Sequence, residues 1–149
     1  MDYDNFLINL YLGHLDLEQF HLFQQLAVDE KSGQIIDRYR TINARYPADE
    51  LEKSGDIPLE LFEDLKKIGF FGLNIPEPYG GLGLSIWQYL KIVSEIVAEN
   101  MSLGFTALAH LSIGVKGIVL FGTEAQKEAY LPKAASGDMI FSYALTVGD

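Results

Sequence analysis

Hydrophobic residues recur along the chain at intervals of three and four positions, which is the periodicity of amphipathic α-helices. The pattern predicts a short helix or a docked tail within residues 1–15, followed by helices over 16–39, 59–68, 86–97, 103–121 and 123–137. Residues 103–121 are apolar nearly all round, and such a helix belongs at the centre of a bundle. The sequence therefore predicts an all-α, multi-helix bundle.

Residues that favour helix termini stand where these periodic segments begin and end. Ser85 and Thr123 are each followed three positions later by Gln, which is the spacing of a capping box. Pro58 suits the first turn of the helix that follows it, and Gly69 suits the end of that helix. Pro132 is expected to kink or end the last helix, because proline lacks the backbone N–H that a helix interior needs.

Residues 139–145 alternate between two faces with a period of two, which is the pattern of a β-strand. The bundle is therefore predicted to carry one C-terminal strand. A strand that stands alone leaves its backbone donors and acceptors without partners. Three arrangements would give this strand partners: a β domain that begins here, pairing with another chain, or packing against the helices. We expect its uncovered edge and the bare helix faces to make the chain a homo-oligomer.

The segment 101–121 is long enough to cross a bilayer. It contains Lys116, and a central Lys costs about 2.5–3.5 kcal/mol on insertion scales, whereas each apolar residue gains only a few tenths. The sequence therefore favours a helix within a bundle, and no membrane span is predicted.

The charge balance narrows the classes of partner. The chain has 11 Lys and Arg against 21 Asp and Glu, a net charge of −10, and its basic residues are scattered. We expect no nucleic-acid partner, because phosphate binding needs clustered basic residues. Residues 1–4 are acidic where a signal peptide is basic, and cysteine is absent, so the expected location is cytoplasmic.

No set of side chains has the spacing of a self-contained catalytic group, and no catalytic residue is assigned. His14, His21 and His110 are too far apart on the predicted helices for one metal site. Glu95 and Glu99, four positions apart, are interpreted as a solvated helix face.

Residues 71–75 are predicted to be extended, and 76–83 to be a loop, because that stretch holds two prolines and three glycines. Glycine-rich loops bind phosphate in several protein families, so a phosphate-binding loop is one interpretation of these glycines. They lack the preceding strand and the spacing of a dinucleotide fingerprint, so a structural turn is favoured.

Thr106, His110 and Gly114 lie four positions apart and form a polar and small stripe on the otherwise apolar helix 103–121. Two interpretations remain open for this stripe. It allows another helix to approach closely, or it lines a ligand cavity.

Three segments together resemble the acyl-CoA dehydrogenase family. Residues 65–84 read LKKIGFFGLNIPEPYGGLGL and residues 121–137 read FGTEAQKEAYLPKAASG, and both are similar to hallmark stretches of its N-terminal domain. Residues 143–146, YALT, resemble the opening of the family's flavin-binding strand. The resemblance is clearest over 57–146.

The resemblance implies a helical domain over 16–138, the first strand of a middle β domain over 139–149, and an unassigned N-terminal extension over 1–15. It implies the FAD-dependent α,β-dehydrogenation of an acyl-CoA thioester, with acyl-CoA and an electron acceptor as partners. This domain would wall the acyl and flavin cavity. The family's catalytic Glu lies in a C-terminal bundle, so the chain is expected to be inactive alone.

The resemblance also assigns site residues. The expected flavin contacts are Tyr143, Leu145 and Thr146. The expected wall of the acyl cavity comprises Phe105, Thr106 and Ala109. The alternative is a non-catalytic interaction or dimerisation module with the same fold.

Overall fold

A computed structural model describes residues 8–9, 11–14 and 28–144. The elements within these ranges are helical, which confirms the predicted all-α class. The helices are α1 (Glu30–Asn43), α2 (Ala48–Ser54), α3 (Leu59–Lys67), α4 (Ile86–Glu99), α5 (Met101–Leu108), a π-helix (Ala109–Gly114), α6 (Lys116–Phe121) and α7 (Glu124–Ser136). Single 3₁₀ turns at Phe70–Gly72 and Glu77–Tyr79 lie between α3 and α4.

The core is built around α4, which contacts α1 and α5. Tyr39 of α1 and Tyr89 of α4 are completely buried, as are Phe70 and Phe71 of the first 3₁₀ turn. The rings of Phe70 and Phe71 meet edge to face at 5.1 Å. Complete burial of a side chain of this size contributes about 1.5–3 kcal/mol. Because both Phe side chains are buried, the 3₁₀ turn is part of the core.

The turn between α4 and α5 is one residue long. Asn100 caps α5, and its Oδ1 accepts a hydrogen bond from a backbone N–H of the first turn at 3.1 Å. Gly104 of α5 lies against α4, where an added Cβ would come within 2.9 Å of Val97 Cα. The hydroxyls of Tyr89 and Ser112 are hydrogen-bonded at 2.7 Å. These contacts make the helices a tight antiparallel pair.

Both predicted capping boxes are confirmed. Ser85 and Thr123 each accept a hydrogen bond at 3.3 Å from the backbone N–H three positions on. Gly69 follows α3 in the left-handed region with φ 74°, and Gly137 ends α7 with φ 77°. Glycine suits both positions because it has no Cβ to clash there.

Several predicted boundaries are wrong. The helix predicted over 16–39 does not pass through residues 28–29, which are not helical. Asp29 instead caps α1 by accepting a hydrogen bond from the Ser32 N–H at 3.1 Å. Residues 71–75 are not extended, because the Gly72 N–H bonds the Gly69 carbonyl at 2.9 Å and closes a 3₁₀ turn. Residues 16–27 lie outside the described residues.

Pro132 does not end α7, which continues to Ser136. The proline lies on the exposed side of the helix, where water can satisfy the carbonyl that its missing N–H leaves free.

Residues 139–144 do not form the predicted strand. A strand needs a second strand to complete its ladder, and the described residues contain none. The segment lies instead against the π-helix, where the Phe141 N–H donates to His110 Nδ1 at 3.0 Å. Leu145 lies outside the described residues.

The apolar segment 103–121 is not central to the bundle. It belongs to one rod, Met101–Phe121, in which Phe105, Ile113 and Phe121 are 67%, 54% and 85% exposed. The rod is long and apolar enough to cross a membrane, and 33% of its most apolar stretch is buried. A helix at the edge of a bundle meets the same criteria, so the predicted absence of a membrane span stays a prediction.

Candidate functional site

The rod Met101–Phe121 widens into a π-helix at the level of the predicted polar stripe. The Val115 N–H bonds the His110 carbonyl at 2.8 Å, a hydrogen bond five residues back along the chain. Single π-helical turns inside α-helices occur frequently at functional sites. This one lies beside the segment 139–144.

His110 is completely buried and is bound by main-chain atoms of three elements. Its Nδ1 accepts the Phe141 N–H at 3.0 Å. Its Nε2 lies 3.2 Å from the carbonyl oxygens of both Phe71 and Ala134. Because a backbone N–H can only donate, Nδ1 is the acceptor and Nε2 carries the proton.

Burial lowers the pKa of His110, and the hydrogen bonds from Nε2–H to the carbonyls of Ala134 and Phe71 offset part of that shift. The imidazole is therefore neutral at pH 7, in agreement with the tautomer that its partners require. The described residues contain no group of side chains that could hold a metal ion.

The two ends of the polar stripe have different environments. Gly114 lies against Phe141, and an added Cβ would come within 2.6 Å of that residue's backbone. Thr106 is half-buried, and its hydroxyl donates to the Ser102 carbonyl at 2.9 Å. The stripe thus allows close approach at His110 and Gly114: α7 and the segment 139–144 both approach His110, and the segment approaches Gly114.

The residues predicted to wall an acyl cavity lie on the exposed side of the rod. Phe105 is 67% exposed, and Thr106 and Ala109 are half-buried nearby. Further along the same side, Ile113 and Phe121 are exposed. The exposed side of the rod therefore presents large apolar side chains, and we call it the apolar face.

A cleft of about 270 Å³ opens at the C-terminal end of the apolar face. It is lined by residues of α6 and α7, including Gly117, Phe121 and Tyr130. The ring of Tyr130 also meets that of Phe141 edge to face at 6.2 Å. The cleft thus borders the segment 139–144.

Of the predicted flavin contacts, the structure describes Tyr143, which is 66% exposed. Leu145 and Thr146 lie outside the described residues. Tyr143 stands two positions beyond Phe141, whose backbone is fixed by His110.

Several backbone donors of the glycine-rich turn are already used within the chain. The N–H groups of Leu82, Gly83 and Leu84 donate to backbone carbonyls at 2.8–2.9 Å. An added Cβ on Gly81 would overlap the Ile75 carbonyl. This packing supports the structural interpretation of the turn.

Glu95 and Glu99 are not simply a solvated face, which corrects the prediction. The Arg40 guanidinium bonds Glu95 at 2.8 Å through Nη2 and Glu99 at 2.7 Å through Nε. Burial and the charge of Glu99 also raise the pKa of Tyr39. This link between α1 and α4 could not be foreseen, because sequence spacing alone does not pair residues more than fifty positions apart.

The site thus belongs to a helical domain with an apolar face and a docked C-terminal segment. A sequence profile described as "Acyl-CoA dehydrogenase, N-terminal domain" matches residues 32–138. The chain belongs to the acyl-CoA dehydrogenase family.

Two relatives agree with this assignment. The chain is 34% identical over 149 residues to the mitochondrial very long-chain specific acyl-CoA dehydrogenase of Mus musculus, a match that covers 95% of this chain and 22% of that protein. It is 36% identical over 99 residues to the acyl-CoA dehydrogenase of Bacillus subtilis (strain 168), covering 66% of this chain and 26% of that protein. The chain thus spans about a fifth to a quarter of these relatives.

The fold is also found in solved structures. The acyl-CoA dehydrogenase from Bacillus anthracis, complexed with FAD, superposes with a TM-score of 0.69 at 30% sequence identity. The superposition covers 80% of this chain and 21% of that one.

Proposed function

We propose that the chain is the N-terminal helical part of an FAD-dependent acyl-CoA dehydrogenase and walls the cavity that holds the acyl chain and the flavin. The observation that carries this proposal is the apolar face of the rod Met101–Phe121. Phe105 and Phe121 alone are 67% and 85% exposed. Apolar exposure of this kind marks an interaction site.

In this function, Phe105, Thr106 and Ala109 contact the acyl chain. Phe105 supplies the large apolar surface, and Ala109 one turn further on leaves room beside it. The Thr106 hydroxyl bonds a carbonyl of its own helix, so it presents its methyl group without an unpaired donor. Such a wall excludes water from the reacting carbons.

Residues 139–149 are the start of the flavin-binding part, with Tyr143, Leu145 and Thr146 as the contacts. The exposed Tyr143 ring suits one side of a flavin site. Bound there, FAD would supply the acceptor for the hydride from the acyl β-carbon. The chain itself contributes shape and the exclusion of water, and residues outside it supply the base.

The negative charge fits this division of roles. A net charge of −10 repels the anionic nucleotide of CoA. We infer that basic residues outside this chain bind that nucleotide, while this chain meets the uncharged acyl end. The complete protein passes its electrons to a separate acceptor.

The test is a chimera in which this chain replaces the matching N-terminal part of the Bacillus subtilis relative. We expect the chimera to bind one FAD per chain and to reduce an artificial electron acceptor with acyl-CoA. Phe105→Ala should improve kcat/KM for longer acyl chains, and Ala109→Phe should favour shorter ones. Leu59→Ala, at a position of α3 that is 71% exposed and lies outside the rod and the segment 139–144, is the matched control.

Two results would contradict the proposal. A folded chimera that holds no FAD would show that this chain is not a flavin wall. A chimera that oxidises acyl-CoA with the same chain-length profile in all three variants would show that the apolar face does not meet the acyl chain. The second result would favour the interaction-module alternative for that face.

A further inference from the structure

We propose that His110 is a positioning residue that fixes the path of residues 139–144 and so sets the place of Tyr143. The last step, from Tyr143 to a flavin, rests on the proposed function. The fixing of the segment itself rests only on contacts within the chain.

The first argument is the number of elements that meet at one imidazole. His110 joins the first 3₁₀ turn through Phe71, α7 through Ala134, and the C-terminal segment through Phe141. The Phe71 and Phe141 rings also lie near the imidazole, with centroids at 5.8 Å and 6.1 Å. A buried side chain without these nitrogens would leave the Phe141 N–H without its acceptor. It would also remove one donor from the Ala134 carbonyl, which the Gly137 N–H still bonds at 3.1 Å.

The second argument is that the surroundings are shaped to receive the segment. The wide turn of the π-helix runs from His110 to Gly114, and both ends contact Phe141. Upstream, the Met139 N–H bonds the Lys133 carbonyl at 3.0 Å. The segment is thus attached at two backbone positions before it reaches Tyr143.

The third argument is that the junction at His110 is electrically neutral. The shift in its pKa comes from burial and from main-chain hydrogen bonds. Among the charged groups on the surrounding elements, Lys66 of α3 pairs with Asp138 at 2.8 Å, and Lys133 of α7 is exposed. A proton added to Nδ1 would remove the acceptor that the Phe141 N–H requires.

The test uses two substitutions of His110 by residues with amide side chains, each of which keeps one of the two positions that the imidazole nitrogens occupy. In His110→Asn, the side-chain oxygen can occupy the position of Nδ1 and still accept from Phe141. In His110→Gln, the amide nitrogen can occupy the position of Nε2, and the acceptor for Phe141 is lost. The measurement is hydrogen exchange of the Phe141 amide by NMR, with the buried Val93 amide as a measure of global stability.

We expect exchange at Phe141 to accelerate about tenfold or more in His110→Gln, the factor for one hydrogen bond of about 1.4 kcal/mol. His110→Asn should stay near wild type. In the wild type, exchange of the Phe141 amide, corrected for its intrinsic pH dependence, should accelerate as the pH falls and His110 becomes protonated. His110→Asn should lack that acceleration. The proposal would be overturned if the Phe141 amide exchanged equally slowly in both variants. It would also be overturned if that amide exchanged equally fast in both.

If both variants unfold, Gly114→Ala displaces Phe141 while the imidazole stays in place. It should also accelerate exchange at Phe141, and an unchanged rate there would overturn the proposal.

A second arm separates this inference from the proposed function. In the chimera, His110→Gln should weaken FAD binding and shift the visible flavin spectrum, whereas His110→Asn should do neither. A chimera that binds no FAD refutes the proposed function. The positioning role is then still tested by exchange of the Phe141 amide in this chain. The chimera can also bind FAD while its His110→Gln variant keeps the wild-type exchange rate of the Phe141 amide and the wild-type flavin spectrum. That result refutes the positioning role alone.

Discussion

Replacing Gly114 with Ala is the sharpest test of how the C-terminal segment is held. An added Cβ would lie 2.6 Å from three atoms of Phe141, two of which belong to the backbone. Real Cβ atoms do not approach other atoms that closely, so the segment must move away. Gly117, three positions on along the same rod, is the matched control, because an added Cβ there meets nothing within 4 Å.

The expected magnitude follows from what the segment loses. Phe141 is half-buried, and because complete burial of a Phe contributes about 1.5–3 kcal/mol, half of that burial contributes about 1 kcal/mol. Loss of the bond from Phe141 to His110 leaves a buried nitrogen without a partner, at about 1–2 kcal/mol. Because Ala has a higher helix propensity than Gly, either substitution also stabilises the helix by up to about 1 kcal/mol.

We therefore expect Gly114→Ala to destabilise the chain by about 1–2 kcal/mol and Gly117→Ala to stabilise it by about 0.5–1 kcal/mol. The difference of about 1.5–3 kcal/mol corresponds to melting temperatures roughly 5–10 °C apart for a domain of this length. Thermal unfolding followed by circular dichroism measures this difference. Equal melting temperatures, or a more stable Gly114→Ala, would refute the docking of Phe141 on the π-helix.

Three further predictions concern stability. Gly104→Ala should lower the unfolding free energy by about 1–3 kcal/mol in urea titration, because the new Cβ meets Val97; an increase would show that α4 and α5 are not tightly packed. Thr123→Ala should cost about 1 kcal/mol by the same assay, because it removes the cap of α7; no change would mean that this cap is not formed. Because burial lowers the pKa of His110 from its ordinary 6.5, the unfolded state binds the proton more readily, and stability should fall as the pH drops below about 6.5 toward the folded pKa. The fall should be smaller in His110→Gln, and identical pH profiles would contradict the buried neutral imidazole.

The helices that the sequence predicts correctly are those whose ends are encoded locally. Ser85 and Thr123 cap their helices as predicted, and Gly69 and Gly137 end theirs. Each of these features depends on residues within four positions. Local backbone chemistry therefore suffices to place them.

Two of the wrong predictions failed because of distant contacts. The alternation over 139–145 looks like a strand, yet Phe141 is held by His110, thirty-one positions away. The pair Glu95 and Glu99 looks like a solvated face, yet Arg40 of α1 binds both. Periodicity reports which side of an element is apolar, but it does not report what covers that side.

The candidate site shows the same division. Spacing placed Thr106, His110 and Gly114 on one stripe, and the structure turns the last two toward the C-terminal segment. Spacing could not predict the π-helix, because its widened turn follows from the bond between Val115 and the His110 carbonyl. That turn changes which residues point outward beyond it.

The rod Met101–Phe121 carries both the apolar face and the contacts of His110 with the segment 139–144. The side of the rod that carries Phe105 is exposed, and another side holds Phe141 through His110. In the proposed function, the acyl wall and the chain that leads to the flavin are parts of one rigid element. Hydride transfer depends on distances that an error of about 1 Å degrades strongly. A single rod that carries both surfaces removes one source of such error, because the two surfaces cannot shift relative to each other without breaking the helix or the buried bonds of His110.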